Sequence, residues 1–186
     1  QGGARAFQRQ LRVARRLGTP VALAPAVAAL REGRPLPRRA FAVTFDDGYR
    51  DNIDVAAPIL GHLGIPATFF LVPGYLDRAV RCWWETVAWA VRRSPLSVVE
   101  WDGGILPVGR SDGWRATAEA ICGDLKATTH DKRDAAITAL IERLRPTGSE
   151  EEVARLFMDW DDAGRLPPGI DVGSHTNRHA ILARET

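Results

Sequence analysis

Nowhere in these 186 residues is there an apolar run long enough to cross a bilayer. No basic segment followed by a hydrophobic stretch and a small-residue cleavage site marks a secretory leader either. The first residue is Gln rather than Met, which reads as a processed or trimmed start, so the missing leader leaves the compartment open. Charge of one sign is missing as well: 25 Lys and Arg against 23 Asp and Glu leave a formal charge of +2. A balance that near neutrality argues for neither nucleic acid nor an anionic membrane surface as a partner. Cysteine is scarce, and Cys82 and Cys122 have no metal-ligand spacing. They read as two buried free thiols rather than a disulfide.

What is present is enough chain for one domain with a sizeable core, and too little for two ordinary ones. One stretch organises the rest: Phe41-Ala42-Val43-Thr44-Phe45-Asp46-Asp47-Gly48. Its apolar, aromatic and β-branched residues predict a buried strand that delivers two adjacent carboxylates to its end. Side chains alternate along a strand, so Asp46 and Asp47 would diverge unless a turn at Gly48 swings both toward one cavity. Two carboxylates leaving an apolar strand are costly unless a cation or a function occupies the site; a plain Asp-Gly turn is the structural alternative.

Far downstream, Ile170-Asp171-Val172 predicts another strand, and Gly173-Ser174-His175-Thr176-Asn177-Arg178-His179 follows it. Two imidazoles four residues apart fall on one face if this segment turns helically, although such a pair also suits an ordinary polar helix face. With a carboxylate from the first strand they would make a set of two His and one Asp, leaving a coordination position open for water or substrate.

Thr44-Phe45-Asp46-Asp47-Gly48 followed by His175-Thr176-Asn177-Arg178-His179 resembles the first two motifs of the NodB-type polysaccharide deacetylases, carbohydrate esterase family 4. Tyr49-Arg50-Asp51-Asn52, Pro58-Ile59-Leu60 and Gly64-Ile65-Pro66-Ala67-Thr68-Phe69-Phe70 resemble that family's first helix and second strand. The likeness covers about residues 38 to 75 closely and 158 to 182 well. It implies an α/β fold of the family's distorted (β/α) barrel type, incomplete, in a single domain over residues 1–186 that is truncated at its C-terminal side. A helical and hairpin insertion would occupy about residues 81–157. It implies further that Asp46 is the general base and that Asp47, His175 and His179 ligate a divalent metal, usually zinc. The substrate would be a glycan carrying N-acetylated amino sugars, and the location extracytoplasmic or associated with the cell envelope.

The family's later motifs supply an arginine that orients the base, part of the substrate groove, and a histidine that protonates the leaving amine. The chain stops at Thr186, seven residues after His179, and nothing in it identifies a general acid. The expectation is therefore the front part of a longer protein. The alternative is a non-catalytic glycan-binding or inactive truncated domain. A barrel without its closing strands would also expose a sheet edge.

Along the chain, residues 4 to 17 read as a helix with Phe7, Leu11 and Ala14 on one face and a solvated row of Arg5, Arg9, Arg12 and Arg16 on another. Ala24 to Arg31 forms a second helix, and Asp51 to Leu63 a third, capped by Asp51 or Asn52 with Pro58 as an interior irregularity. His62 near its end faces solvent. Ala67 to Val72 is the second strand of a parallel βαβ unit. The segment Cys82 to Val91 reads as a helix whose tryptophans suit core or lid packing better than a sugar-stacking platform. Asp102-Gly103-Gly104 marks a hairpin, and helices follow near 114–128 and 131–144. The acids Asp159, Asp161 and Asp162 form a conceivable second cation site, with a helix cap from Asp159 or Asp162 the preferred role.

Overall fold

A computed structural model of the chain describes residues 2–110 and 112–184. The element order is α1 (Gly2–Leu17), β1 (Thr19–Pro20), α2 (Leu23–Arg31), β2 (Ala40–Phe41), β3 (Val43–Phe45), a π-helical turn (Asn52–Ala56), α3 (Ala57–Leu63), β4 (Ala67–Leu71) and α4 (Pro73–Leu76). There follow α5 (Trp83–Arg93), β5 (Val98–Trp101), β6 (Gly104–Pro107), α6 (Trp114–Leu125), α7 (His130–Leu144), α8 (Glu151–Ala154), α9 (Trp160–Gly164), β7 (Ile170–Ser174) and a 3₁₀ turn (Leu182–Arg184). The chain divides into two compact units, Gln1–Asp77 with Leu156–Arg178, and Arg78–Arg155 with His179–Thr186.

The first unit is built on a parallel sheet of order β3-β4-β7, in which Ala67 of β4 stands opposite both Val43 and Ile170. Central β4 is shielded on both sides, so Ala67, Phe69 and Leu71 are almost fully buried. Phe69 meets the edge of the Phe45 ring at 5.1 Å, and Phe45 meets Phe7 of α1 at 5.8 Å. Leu11, Leu60 and Met158 complete that core. Each such apolar side chain contributes roughly 1.5–3 kcal/mol by leaving water. The arginine row of α1 is exposed, and Arg15 donates to the Leu63 carbonyl at the end of α3.

Three expectations change here. The single buried strand over 41–45 is two short strands: β2 pairs with β1, and β3 pairs with β4. It is also half-buried, with Val43 and Phe45 turned to the core and Ala42 and Thr44 exposed, because β3 is a sheet edge and alternates inward and outward. The third helix opens with the wide turn Asn52–Ala56 and runs without a break into α3, so that Pro58, just past the junction, is the irregularity expected inside it. Proline has no N–H for the bond back to Asp54, and the π turn takes up that missing partner. Asp51 precedes the turn without a side-chain capping bond. Finally, the described strands do not close: β3 and β7 are the two edges of an open sheet, so the structure shows an α/β layer and no closed barrel among the described residues. Leu23 and Val27 of α2, with Phe70 and Val172 of the sheet, line an open cavity of about 580 Å³.

The second unit is a helical cluster with a hairpin. Val87 and Val91 of α5, Ile121 of α6, and Ile137, Leu140 and Leu144 of α7 form its core. β5 and β6 pair antiparallel with Trp101 opposite Gly104, leaving a two-residue turn of Asp102 and Gly103, both at positive φ (46° and 73°). Two left-handed residues match the strand twist, which is why an Asp-Gly pair sits there. Trp83 is buried, and Trp84 and Trp89 pack against the same core, so the tryptophans of α5 serve packing. Arg133, fully buried, donates to the Leu125 and Thr128 carbonyls and lies 5.0 Å from the Trp83 ring. Both cysteines are free; Cys82 is buried and Cys122 half-buried, with burial pushing its thiol up to about 11.

Candidate metal centre

β3 carries Asp46 and Asp47 to the C-terminal end of the sheet, where the chain turns at once: the Gly48 N–H donates to the Asp46 carbonyl at 2.9 Å. Asp47 (φ 71°) and Gly48 (φ 78°) both occupy the left-handed region. Asp tolerates that conformation better than most residues, whereas a side chain at 48 would also stand 3.1 Å from the Leu71 Cδ2 atom. The Gly48 carbonyl accepts from the Met158 N–H at 2.9 Å, and the Arg50 N–H donates to the Leu156 carbonyl at 2.7 Å. The turn is thus tied to the segment leading into α9.

Two strands away, the His175 N–H continues the β4–β7 ladder by donating to the Leu71 carbonyl at 2.7 Å. Beyond it Thr176 (φ 62°) and His179 (φ 48°) are left-handed, and no helix forms. The expected helical turn from His175 to His179 is therefore replaced by a bent loop. The sheet bond holds His175 in register while the positive-φ residues fold the chain back. Of seven non-glycine residues at positive φ among those described, three lie in these two loops, at a cost of roughly 1–3 kcal/mol each.

The result brings Asp47 Oδ1 to 3.6 Å from His175 Nε2. Asp47, His175 and His179 are each half-buried; the first two meet within the first unit, and His179 opens the last segment of the second. Two ligands tetrahedrally disposed about zinc stand about 3.4 Å apart, so the Asp47–His175 pair is near that spacing. Oxygen and imidazole nitrogen are also the donors a zinc or similar divalent ion takes, so the residues fit such an ion. The His179 ring lies 4.6 Å from the Trp84 ring. Asp46 is exposed at the strand end and lies outside the ligand cluster. His62 is exposed and also lies outside it.

The acids of the approach to β7 have other work. Asp159 caps α9 by accepting from the Asp162 N–H at 2.8 Å, and Asp162 returns the bond by accepting from the Asp159 N–H. Asp162 is buried and also receives Arg50 and Arg165, each at 2.6 Å. Burial works to raise its pKa and is outweighed by the backbone bond of Asp159 and the two guanidinium groups, which leave it below the ordinary carboxylate value. The cation-site alternative for these acids gives way to a cap and an ion-pair hub. A residue the motif reading passed over is Arg50, two positions after Gly48; its proximity to Asp47 in the chain was the available signal.

The sequence model of the polysaccharide deacetylase family matches residues 33–98. Among curated proteins no match is found. Solved structures similar to the chain include the BpsB deacetylase domain from Bordetella bronchiseptica, at 15% identity and a TM-score of 0.46, covering 92% of this chain and 42% of that one. Another is a de-N-acetylase from Aggregatibacter actinomycetemcomitans, at 17% identity and a TM-score of 0.41, covering 86% and 38% respectively. The chain therefore spans about two fifths of the length of each of these proteins.

Proposed function

We propose, from the polysaccharide deacetylase match over residues 33–98, that this chain carries the front part of a metal-dependent domain that removes acetyl groups from N-acetylated amino sugars in a glycan. Asp47, His175 and His179 would hold the divalent ion, zinc by preference. When bound, such an ion polarises a carbonyl oxygen and acidifies a water molecule. A carboxylate committed to a cation is a poor proton acceptor, so Asp47 is reserved for ligation. Asp46, adjacent and exposed, is the carboxylate free to take a proton from the attacking water. The segment of about residues 81–157 is then an insertion within one deacetylase domain. By the same resemblance the working site would be extracytoplasmic or associated with the cell envelope. Among the described residues no helix is long and apolar enough to cross a membrane.

The observation that carries this reading is the convergence of Asp47 and His175 to 3.6 Å from strands separated by more than a hundred residues, with His179 four positions further on. The test is acetate release from acetylated chitooligosaccharides by the zinc-loaded chain, with and without chelator. Chelator-sensitive release that disappears in Asp46→Asn, while zinc affinity stays within about threefold, supports it. Glycan binding with no acetate release would leave the inactive-domain alternative; near-normal turnover in Asp46→Asn would remove Asp46 from its role.

A further inference from the structure

Of the six tryptophans, Trp160 alone is among the exposed large apolar residues, with 52% of its surface in water. The others described pack in or against the second unit's core. An exposed indole is ordinarily free to rotate, but this one is tethered: its ring N–H donates to Asp77 Oδ1 at 2.6 Å. Its backbone is fixed as well, since Trp160 is the first residue of α9, directly after the capping residue Asp159.

Both ends of that tether connect to the loops that hold the candidate ligands. On one side, Met158 donates its N–H to the carbonyl of Gly48, next to Asp47. On the other, Asp77 follows α4, where the Gly74 N–H donates to the carbonyl of Asn177, between His175 and His179. Trp160 therefore stands at the same end of the sheet as the Asp47–His175 pair, in the same unit, with its ring orientation set.

A fixed, half-exposed indole face is a surface on which the C–H face of a pyranose ring can stack, its rotational freedom already lost before binding. The groups beside it choose the sugar. Asp77 and Asp161 are exposed acids, good acceptors for sugar hydroxyls and hostile to a carboxylated or sulfated ring. We infer that Trp160, oriented by Asp77, is a stacking platform for a hexosamine residue of the glycan that carries no negative charge, flanking the site of deacetylation. The substrate class named rests on the function proposed above; the platform itself is a binding claim. The same acids would favour the cationic amino sugar left after deacetylation, so a partly deacetylated chain is held at least as well as the acetylated one.

The experiment is calorimetric titration of the full chain with tetra-N-acetylchitotetraose and, in parallel, with a tetragalacturonate. The unmodified protein is expected to bind the first and not the second. Trp160→Ala should weaken binding about tenfold, and Trp160→Phe, which keeps a ring, by less than about threefold. Asp77→Ala, which keeps the indole but releases it, should fall between. None of these changes touches a candidate ligand, so zinc affinity should be unchanged in all three. Equal binding by the unmodified and Trp160→Ala proteins, preference for the galacturonate, or no binding of either sugar by the unmodified protein overturns the platform. Should Trp160→Ala fail to fold, the Asp77→Ala and Trp160→Phe pair decides alone, and equal binding by Asp77→Ala overturns the tether. Platform behaviour without acetate release in any protein would sink the proposed activity and leave this inference standing.

Discussion

Replacing Asp162 by Asn isolates what the buried carboxylate does for the loop that carries Asp47. The side chain is 4% exposed and has three hydrogen-bonding or ionic partners, the Asp159 N–H, Arg50 and Arg165, while the Asp162 backbone N–H separately gives the capping bond to Asp159. Arg165 is 70% exposed and contributes little, whereas Arg50 is 37% exposed and loses a close partner. Asn keeps the volume and one oxygen for the cap but no charge, so the loss is about 2 kcal/mol, read as a fall in Tm of about 4–8 °C. Asp162→Ala also removes the acceptor for the Asp159 N–H and should lose about 3 kcal/mol. The sign with pH follows from the depressed pKa: the ionised form is favoured in the folded state, so its contribution is complete above the unfolded value near ~3.9 and is lost as pH falls through the folded one. Urea denaturation at pH 7 and at decreasing pH should show the gap between the two proteins closing in acid. Because Arg50 anchors the residues just after Gly48, zinc affinity should also drop about tenfold. A gap of the same size at every pH, or none at pH 7, would refute the account of Asp162 as a charged hub.

His175→Ala removes one of three candidate ligands and should reduce zinc affinity by on the order of a hundredfold or more, measured by competition with a chromogenic chelator. Gly48→Ala forces a side chain into the left-handed region and against Leu71, and should lower stability by about 2 kcal/mol in thermal unfolding, with a matching loss of zinc binding. The Cys122 thiol, pushed up to about 11 by burial, stays protonated near neutrality, so a disulfide exchange reagent at pH 8 should modify it slowly in the folded chain and fully in denaturant.

Local chemistry was the part of this fold that could be read from sequence. Asp102-Gly103 announces a two-residue turn because left-handed backbone suits those residues, and Asp159 with Asp162 announces a helix start because both carboxylates reach backbone N–H groups three positions away. Convergence of distant segments was legible only as far as donor types went: a carboxylate and two imidazoles name a cation, but not the backbone that gathers them. The gathering depends on the parallel register Leu71↔Ser174, which hands His175 to Leu71, and on left-handed Thr176, a β-branched residue that no propensity would put there. Alternation in Phe41-Ala42-Val43-Thr44-Phe45 likewise fits a half-buried edge as well as a buried strand, and which one forms depends on whether a neighbour covers it. The tryptophans carry the same lesson in reverse. Clustered Trp83, Trp84 and Trp89 draw the eye toward sugar binding, yet helical spacing packs them into one core, while solitary Trp160 stays at the surface with its backbone fixed at the start of α9 and its indole N–H held by Asp77. At the end of the sheet where Asp47 and His175 meet, the bonds that fix Trp160, from the α9 cap and from Asp77, lie one and three residues along the chain from the Met158 and Gly74 bonds that tie down the ligand loops.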